Sequence, residues 1–258
     1  MIGIFDSGSG GLTFLAAMKQ RYPHFSYLYF ADYEHCPFWE KTPEEIQKFT
    51  IAWVQKLFDA GATIVILACN TASAWTLRKL QTEVFPDKKI LGVTIPGAEK
   101  VVQLWCHFVT VFATQQTVES RTYAERMRIL DSTTQVREIA LHGDLVRDIE
   151  ALLPVQRCHS EKDFDTLFLL YSPDWWKCEN NAWETLAKKY FSPHIQADIP
   201  HSDAIILGCT HYPYLKKSLE KLFPHQLFID PSEEAAEKLG MYLKKHHIQI
   251  AEGGVYFI

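Results

Sequence analysis

Two cysteines stand at matching places in the chain, each directly after a short apolar strand and directly before a predicted helix. Cys69 follows "TIVILA" and Cys209 follows "DAIILG". Amide groups at a helix N-terminus stabilise a thiolate, so this placement predicts a lowered pKa for both thiols. If the two sulfurs lie on opposite sides of one carbon atom, one can remove a proton while the other delivers a proton to the opposite face. The pair therefore indicates inversion of a carbon centre.

Polar residues surround both cysteines in the sequence. In an open parallel sheet, ligands collect beyond the carboxyl ends of the strands. We therefore expect Asp6, in the loop "DSGSGGLT", to lie near one sulfur and His211 near the other, where they tune or relay protons. The residues expected to hydrogen-bond carboxylate and ammonium groups are Ser7, Asn70, Thr71 and Thr210.

The glycines of the first loop are spaced as G-x-G-G, at Gly8, Gly10 and Gly11. Glycines before a helix cradle phosphates, which raises the alternative of a nucleotide site. The loop lacks the lysine of a P-loop and the full G-x-G-x-x-G spacing, and partial glycine patterns are common false positives. The same backbone amides also suit a substrate carboxylate, which is the interpretation that we favour.

Alternating strands and helices must position these loops. Apolar runs predict strands at "IGIF", "SYLYFA", "TIVILA", "KILGV", "FVTVFA", "VREIAL", "DAIILG" and "QLFID", with helices between them. One helix start is well marked, because Thr42 suits an N-cap, Pro43 the first helical position and Glu45 a capping box, and Gly61 ends the helix. The tail predicts a hairpin that turns at Gly253 and Gly254. The alternation predicts an α/β fold with mostly parallel sheets.

The alternation forms two series, joined near Pro96 and again near Gly208. It predicts two pseudo-symmetric three-layer domains with the active site in the cleft between them. The mixed aromatic and charged residues around 154–181 break the rhythm and predict a partly helical insertion in the second domain. The predicted ranges are 1–96 together with 208–258 for the first domain and 97–207 for the second.

Composition narrows the classes of function. The chain has 258 residues, 47% of them hydrophobic and 22% charged, and a net charge of -5, so it has no global basic field for nucleic acid. The longest apolar run, "ATIVILAC", is too short to cross a membrane, and the N-terminus does not resemble a signal peptide. Six cysteines without a C-x-x-C pair argue against a disulfide framework. We expect a cytoplasmic protein.

Three motifs carry a resemblance to a known family. The segments "GIFDSGSGGLT", "ACNTASA" and "GCTHYP" resemble the signatures of the cofactor-independent aspartate/glutamate racemase superfamily, and "DSGxGGLT" resembles the glutamate racemases within it. Further agreement at "ADYEHCPFWEKTPEEI", "PGA", "ATQQTVESRTY" and "IDPSEEAAEKL" extends the resemblance over most of the chain.

The resemblance implies an enzyme that interconverts L- and D-glutamate for peptidoglycan synthesis, with glutamate as its small-molecule partner and without pyridoxal phosphate or metal. It implies that Cys69 and Cys209 are the two bases. It also implies three further catalytic residues, which are Asp6, His211 and Glu150. The implied substrate-binding residues are Asp6, Ser7, Pro37, Phe38, Trp39, Asn70, Thr71, Thr114, Thr117, Thr210 and His211.

The chain departs from the family pattern in its second loop, where Pro-Tyr-Gly is replaced by Pro37, Phe38 and Trp39. The change removes a tyrosine hydroxyl, and a tryptophan in place of glycine would obstruct the site or move the loop. Two further departures are Ala113 before Thr114 and His142 before "GDLV". They leave two alternatives, which are a racemase for another amino acid such as aspartate and a non-catalytic ligand-binding or regulatory protein.

The thiols also raise the question of a metal site or a covalent intermediate. A zinc site at Cys209 with His211, or at the pair His246 and His247, lacks the three or four ligands that zinc requires. A covalent thiol enzyme with Cys69 as the nucleophile stays open.

Three tryptophans are candidates either for a homodimer interface, because exposed aromatic clusters often mark contacts between proteins, or for packing the insertion onto its own domain. They are Trp175, Trp176 and Trp183.

Overall fold

Two parallel β-sheets organise the chain in a computed structural model that describes residues 1–154, 157–168, 181–194 and 202–258. The first sheet has the strand order β4-β3-β1-β2-β9 and the second the order β6-β5-β7-β8. The strands are β1 (Ile2–Asp6), β2 (Tyr27–Ala31), β3 (Ile64–Leu67), β4 (Lys89–Gly92), β5 (Phe108–Ala113), β6 (Gln135–Ala140), β7 (Ala204–Gly208), β8 (Leu227–Ile229) and β9 (Val255–Phe257). The predicted α/β class with parallel sheets is confirmed.

Helices connect the strands and cover the sheets. They are α1 (Leu12–Arg21), α2 (Pro43–Asp59), α3 (Asn70–Lys79), α4 (Thr94–Gln103), α5 (Gln115–Glu119), α6 (Thr122–Leu130), α7 (Asp144–Leu152), α8 (Glu161–Phe168), α9 (Asn181–Tyr190), α10 (Lys216–Leu222) and α11 (Pro231–Lys245). Short 3₁₀ turns occupy Phe38–Glu40 and Tyr212–Leu215. None of the helices in the described ranges has the length and apolar character needed to cross a membrane.

Local sequence explains the central elements. Strands β1, β3 and β7 are buried along their whole length, as expected for parallel strands with helices on both faces. Helix α2 begins with the predicted capping box, in which the Glu45 amide donates to Thr42 Oγ1 (3.3 Å) and the Thr42 amide donates to Glu45 Oε2 (2.9 Å). Gly61 follows the helix with φ of 95°, a conformation that favours glycine.

The hydrophobic core joins the two sheets. One cluster of buried side chains contains Ile4 of β1, Phe112 of β5 and Leu207 of β7, together with Leu239 of α11. Two smaller clusters pack beneath the outer helices, one around Ile46 of α2 and the other beneath α4 and α6. The carboxyl ends of β1 and β7 are therefore held in a fixed relation by shared packing.

The C-terminal tail does not form the predicted hairpin. Strand β9 pairs in parallel with β2, and an isolated antiparallel bridge joins Phe25 to Glu252. Between β5 and β6 the chain forms two helices, α5 and α6, with Arg121 between them at φ of 58°.

Sheet membership also differs from the predicted ranges. Residues 208–258 were assigned to the first domain, yet β8 pairs with β7 in the second sheet and only β9 of this stretch pairs in the first. The division into two domains itself stays a prediction.

The predicted insertion at 154–181 is described only in part. It contains helix α8, whereas residues 155–156 and 169–180, which include Trp175, Trp176 and Cys178, lie outside the described residues. Trp183 is 6% exposed, and its ring stacks on Tyr214 at 6.0 Å between centroids. The expectation that Trp183 marks a surface interface is therefore wrong.

Candidate active site

Cys69 lies two residues after β3 and is the N-cap residue of α3. Its Sγ accepts from the Ala72 amide (3.4 Å) and lies 3.2 Å from Ser7 Oγ. The pKa of the Cys69 thiol is raised to about 12, mainly by burial and also by the charge of Asp6, while the hydrogen bonds from Ser7 and Ala72 oppose the rise. The predicted lowering of this pKa is wrong, because desolvation of a fully enclosed sulfur outweighs the helix amides.

Cys209 lies at the end of β7 and faces a histidine. His211 Nδ1 is 3.9 Å from Cys209 Sγ, and His211 Nε2 is 3.0 Å from Glu150 Oε1. Burial alone would lower the pKa of His211, but its hydrogen bonds to Cys209 and Glu150 raise that pKa to about 10. The ring is therefore an imidazolium at neutral pH, held between a sulfur and a carboxylate.

Asp6 and the loop after it lie close to the surroundings of both thiols. The Asp6 side chain is fully buried and accepts from the Gly8 amide (3.0 Å). Burial raises its pKa to about 6, and the positive charge of His211 opposes the rise. A Cβ at Gly10 would lie 2.1 Å from Thr210 Oγ1, so this loop touches the loop that carries Cys209. Cys209 also contributes its charge to the raised pKa of Cys69, which places both sulfurs in one electrostatic environment.

Three threonine hydroxyl groups converge beside α3. Thr71 Oγ1 lies 3.0 Å from Thr114 Oγ1 and 3.1 Å from Thr117 Oγ1, and the last two are 3.0 Å apart. All three side chains are buried. Thr114 caps α5 and accepts from the Thr117 amide, which fixes the cluster. Because each hydroxyl donates one hydrogen bond, the cluster suits an anionic oxygen.

The departure at Phe38 and Trp39 is accommodated by packing. The Phe38 ring is buried and packs against Phe5 (6.2 Å between centroids) and Phe49 (6.3 Å) in the core beneath α2. The Trp39 indole rests against Gly143, where a Cβ would be 2.5 Å from Trp39 Nε1. Gly143 precedes α7, which carries Glu150, so the second loop supports that helix.

Three contacts at the site were not predicted. Ser9 Oγ donates to Glu150 Oε1 (2.7 Å) and lies 3.1 Å from His211 Nε2. Tyr123 OH donates to Asn70 Oδ1 (2.6 Å). Cys36 faces the first loop, because a Cβ at Gly8 would lie 3.3 Å from Cys36 Sγ. Ser9 belongs to a loop that the sequence singled out, but nothing in the sequence marks the partners of Ser9 or Tyr123.

The structure thus brings together most of the predicted site residues around the ends of β1, β3 and β7. The second loop, with Pro37, Phe38 and Trp39, is the exception, because the Phe38 side chain lies in the core and the Trp39 indole rests against Gly143. No group of three or more histidine, cysteine or acidic side chains that could hold a metal ion occurs in the parts of the chain that the structure describes. The residues with contacts in the site are Asp6, Ser7, Cys69, Asn70, Thr71, Thr114, Thr117, Glu150, Cys209, Thr210 and His211.

Several proteins of known function resemble this chain over nearly its whole length. The chain matches none of the protein-family models with which it was compared. A glutamate racemase from Roseobacter denitrificans is 33% identical over 270 residues, which cover 100% of this chain and 90% of the relative. One from Ruegeria pomeroyi is 35% identical and covers 95% of this chain and 86% of the relative. The chain belongs to the glutamate racemase family. The resemblance drawn from the motifs is confirmed, and with it the assignment to the racemases, a class of isomerases.

Solved structures agree with this assignment. The glutamate racemase from Francisella tularensis, solved in complex with D-glutamate, has a TM-score of 0.77 at 28% identity and covers 99% of this chain and 85% of its own. A glutamate racemase from Bacillus anthracis has the same TM-score and identity and covers 100% of this chain and 86% of its own. An aspartate racemase from Picrophilus torridus shares the fold, with a TM-score of 0.59 at 17% identity.

Proposed function

We propose that the protein interconverts L- and D-glutamate in the cytoplasm by a two-base mechanism without a cofactor, and so supplies D-glutamate for peptidoglycan synthesis. The observation that carries the proposal is the pair Cys69 and Cys209, which stand in matched strand-to-helix settings with separate proton partners. Its relatives are glutamate racemases, and the Francisella tularensis protein was solved in complex with D-glutamate, which together support glutamate as the substrate.

The two thiols are prepared for different starting roles. The raised pKa of Cys69 keeps this group as a thiol, able to donate a proton. Cys209 Sγ instead faces the imidazolium of His211 across 3.9 Å, a positive neighbour that favours a thiolate at this position. One proton acceptor and one proton donor are thus available to a single substrate, which is the combination that inversion requires.

The proposed reaction consists of two proton transfers. The Cys209 thiolate takes the proton from Cα, and the electron pair of the broken C–H bond is delocalised into the substrate carboxylate. The Cys69 thiol then gives its proton to the opposite face of Cα and becomes a thiolate. For the other enantiomer the two sulfurs exchange roles. A bound α-ammonium group brings a positive charge into the site, which lowers the cost of each thiolate.

We assign substrate contacts to the hydroxyl and amide groups around Cα. The threonine cluster Thr71, Thr114 and Thr117 is proposed to receive a carboxylate, because its hydroxyls converge at buried positions. Ser7, Asn70 and Thr210 are proposed to complete the polar shell, and Asp6 to attract the ammonium group. Pro37, next to Cys36 at the first loop, is proposed to border the substrate, and Trp39 to act indirectly by supporting α7 through Gly143.

The proposal is tested by exchange of the Cα hydrogen. Purified protein is incubated with L-glutamate in heavy water without added cofactor, before and after dialysis against a chelator. Deuterium at Cα and formation of D-glutamate are followed by NMR and chiral chromatography. We expect both signals in the wild-type protein, and formation of D-glutamate at least about a thousandfold slower in Cys69→Ala and in Cys209→Ala. Cys106→Ala, which changes a buried cysteine just before β5, is the matched control and should keep activity.

The remaining outcomes separate the competing functions. Deuteration of L-aspartate in place of glutamate would indicate a changed substrate. Saturable binding of glutamate without any exchange would indicate a ligand-binding or regulatory protein. Formation of D-glutamate at the wild-type rate in either site variant would overturn the two-base mechanism.

A further inference from the structure

Ser9 occupies the variable position of the pattern DSGxGGLT, and its side chain is completely buried. Its backbone carbonyl accepts from the Leu12 amide (3.2 Å) in the turn that enters α1. That contact uses no side-chain atom, so the turn itself does not require a serine. The Ser9 hydroxyl instead forms hydrogen bonds with Glu150 of α7 and with His211, which follows β7.

Those partners are the carboxylate and the imidazolium beside Cys209. Ser9 Oγ lies 2.7 Å from Glu150 Oε1 and 3.1 Å from His211 Nε2, and these two atoms are 3.0 Å apart. The three atoms form a closed triangle. A carboxylate can only accept, so the Ser9 hydroxyl donates to Glu150, and its lone pairs then face the N–H of His211.

The triangle decides where the proton between Glu150 and His211 resides. A hydrogen bond donated to a carboxylate stabilises its charged form and makes it a weaker base. The hydrogen bonds from His211 and Ser9 lower the pKa of Glu150 in spite of its burial. With Glu150 weakened as a base, the proton stays on His211, and the imidazolium keeps its charge opposite the sulfur of Cys209.

We propose that Ser9 is a positioning residue that fixes the Glu150 carboxylate against His211 and thereby keeps Cys209 ready to accept a proton. This inference rests on the proposed function for its catalytic consequence, but its structural part concerns the reactivity of Cys209 alone. Other charged and titratable groups also act on this cluster and are left in place by any change at Ser9: Asp6, Tyr33, Cys36 and Arg157.

Alkylation of the thiols tests the positioning role without turnover. Wild-type and Ser9→Ala proteins are treated with iodoacetamide over a range of pH, and modification of each cysteine is measured by peptide mass spectrometry. We expect the midpoint pH for Cys209 to rise by about one unit, a tenfold change in the thiolate equilibrium. Cys69, which bonds to Ser7, serves as the internal control and should not shift. An unchanged midpoint for Cys209 would overturn the proposal.

A matched pair separates the hydroxyl from the shape of the side chain. Threonine and valine differ little in volume, but only threonine keeps the donor. We expect Ser9→Thr to retain most of the activity, and Ser9→Val, like Ser9→Ala, to lose about tenfold in kcat/KM. The loss should be equal in both directions, because the enantiomers have equal free energy. Equal losses in the threonine and valine variants would mean that packing, and not the hydroxyl, matters.

The last step tests whether Ser9 acts through Glu150. In a double-mutant cycle, Ser9→Ala should cost much less in a Glu150→Gln protein, whose amide no longer depends on the donated hydrogen bond. Full additivity would contradict a route through Glu150. If wild-type protein fails to exchange the Cα hydrogen, the proposed function fails, and the alkylation midpoint of Cys209 still decides the role of Ser9.

Discussion

His211 is a buried cation held between the Glu150 carboxylate and the sulfur of Cys209, and its charge links stability to pH. The pKa rises from 6.5 to about 10 in the folded protein. Below the unfolded value both states hold the proton, and the contribution to stability is fully present. Between the two values only the folded state holds it, so this contribution is lost as pH rises, by up to about 1.4 kcal/mol per pH unit.

The free energy of unfolding, measured with urea between about pH 6 and about pH 9.5, tests this linkage. We expect the free energy of unfolding to fall with pH more steeply in the wild-type protein than in His211→Gln. The exposed His24 provides a control, because His24→Gln should keep the wild-type slope. Identical slopes in the wild-type and His211→Gln proteins would show that the imidazolium is not held as described.

At the scale of single residues the sequence predicts where the two thiols lie better than it predicts their environment. Cys69 and Cys209 follow from their matched settings, because a strand end before a helix is a local pattern. The contacts of Ser9 do not follow, since Glu150 and His211 are 141 and 202 residues away. Neither does the hydrogen bond from Tyr123 to Asn70, which spans 53 residues. The raised pKa of Cys69 depends on burial, which tertiary packing decides.

The second loop and helix α7 act as one supporting unit. Trp39 rests on Gly143 at the start of the helix, and Arg147 in its first turns pairs with Glu40 (2.7 Å). The Cβ of an alanine at 143 would meet the rigid indole at 2.5 Å, so the helix or the loop must move. A displacement of about 1 Å at a catalytic group is enough to cost orders of magnitude in rate.

We therefore expect Gly143→Ala to lower kcat/KM about tenfold or more, because α7 carries Glu150. Trp39→Ala removes the obstacle, so the double variant Trp39→Ala with Gly143→Ala should recover most of the loss relative to Gly143→Ala. Steady-state kinetics of the four proteins measures this coupling. A double variant no better than Gly143→Ala would show that the contact does not position the helix.

The order of the elements follows from hydrophobic patterning, and the exceptions have physical causes. Continuous apolar runs predict the buried parallel strands, and the capping box predicts the start of α2. The tail was predicted as a hairpin because Gly253 and Gly254 provide a local turn signal. Strand β9 instead pairs with β2, whose edge lies more than two hundred residues earlier, and no local pattern records such a partner.

The two sheets are joined through the outer helices α4 and α11. Glu99 of α4 pairs with Lys238 of α11 and with Arg126 of α6, and Lys100 of α4 pairs with Glu234 of α11 (3.1 Å). Since α4 leads from the first sheet to the second, these ion pairs hold the connection in place. The predicted homodimer is a separate matter and stays a prediction.

Replacing Glu99 by glutamine leaves Lys238 and Arg126 without their shared anion. We expect Glu99→Gln to lower the free energy of unfolding by about 1 kcal/mol, a modest loss because a quarter of the Glu99 side chain (25%) reaches solvent. Urea denaturation measures it, and added salt should narrow the difference. The exposed Glu83→Gln is the control. An equal loss of unfolding free energy in Glu99→Gln and Glu83→Gln would show that this cluster of ion pairs has no special role.

The relative placement of the two sheets matters because the proposed mechanism needs Cys69 and Cys209 on opposite sides of one carbon atom. The fate of the Cα hydrogen tests this most directly. In heavy water, at low conversion of L-glutamate, two opposed bases predict that the D-glutamate formed carries deuterium at Cα while the remaining L-glutamate keeps its protium. Protium retained in the D-glutamate, or equal early labelling of both enantiomers, would contradict the two-thiol mechanism.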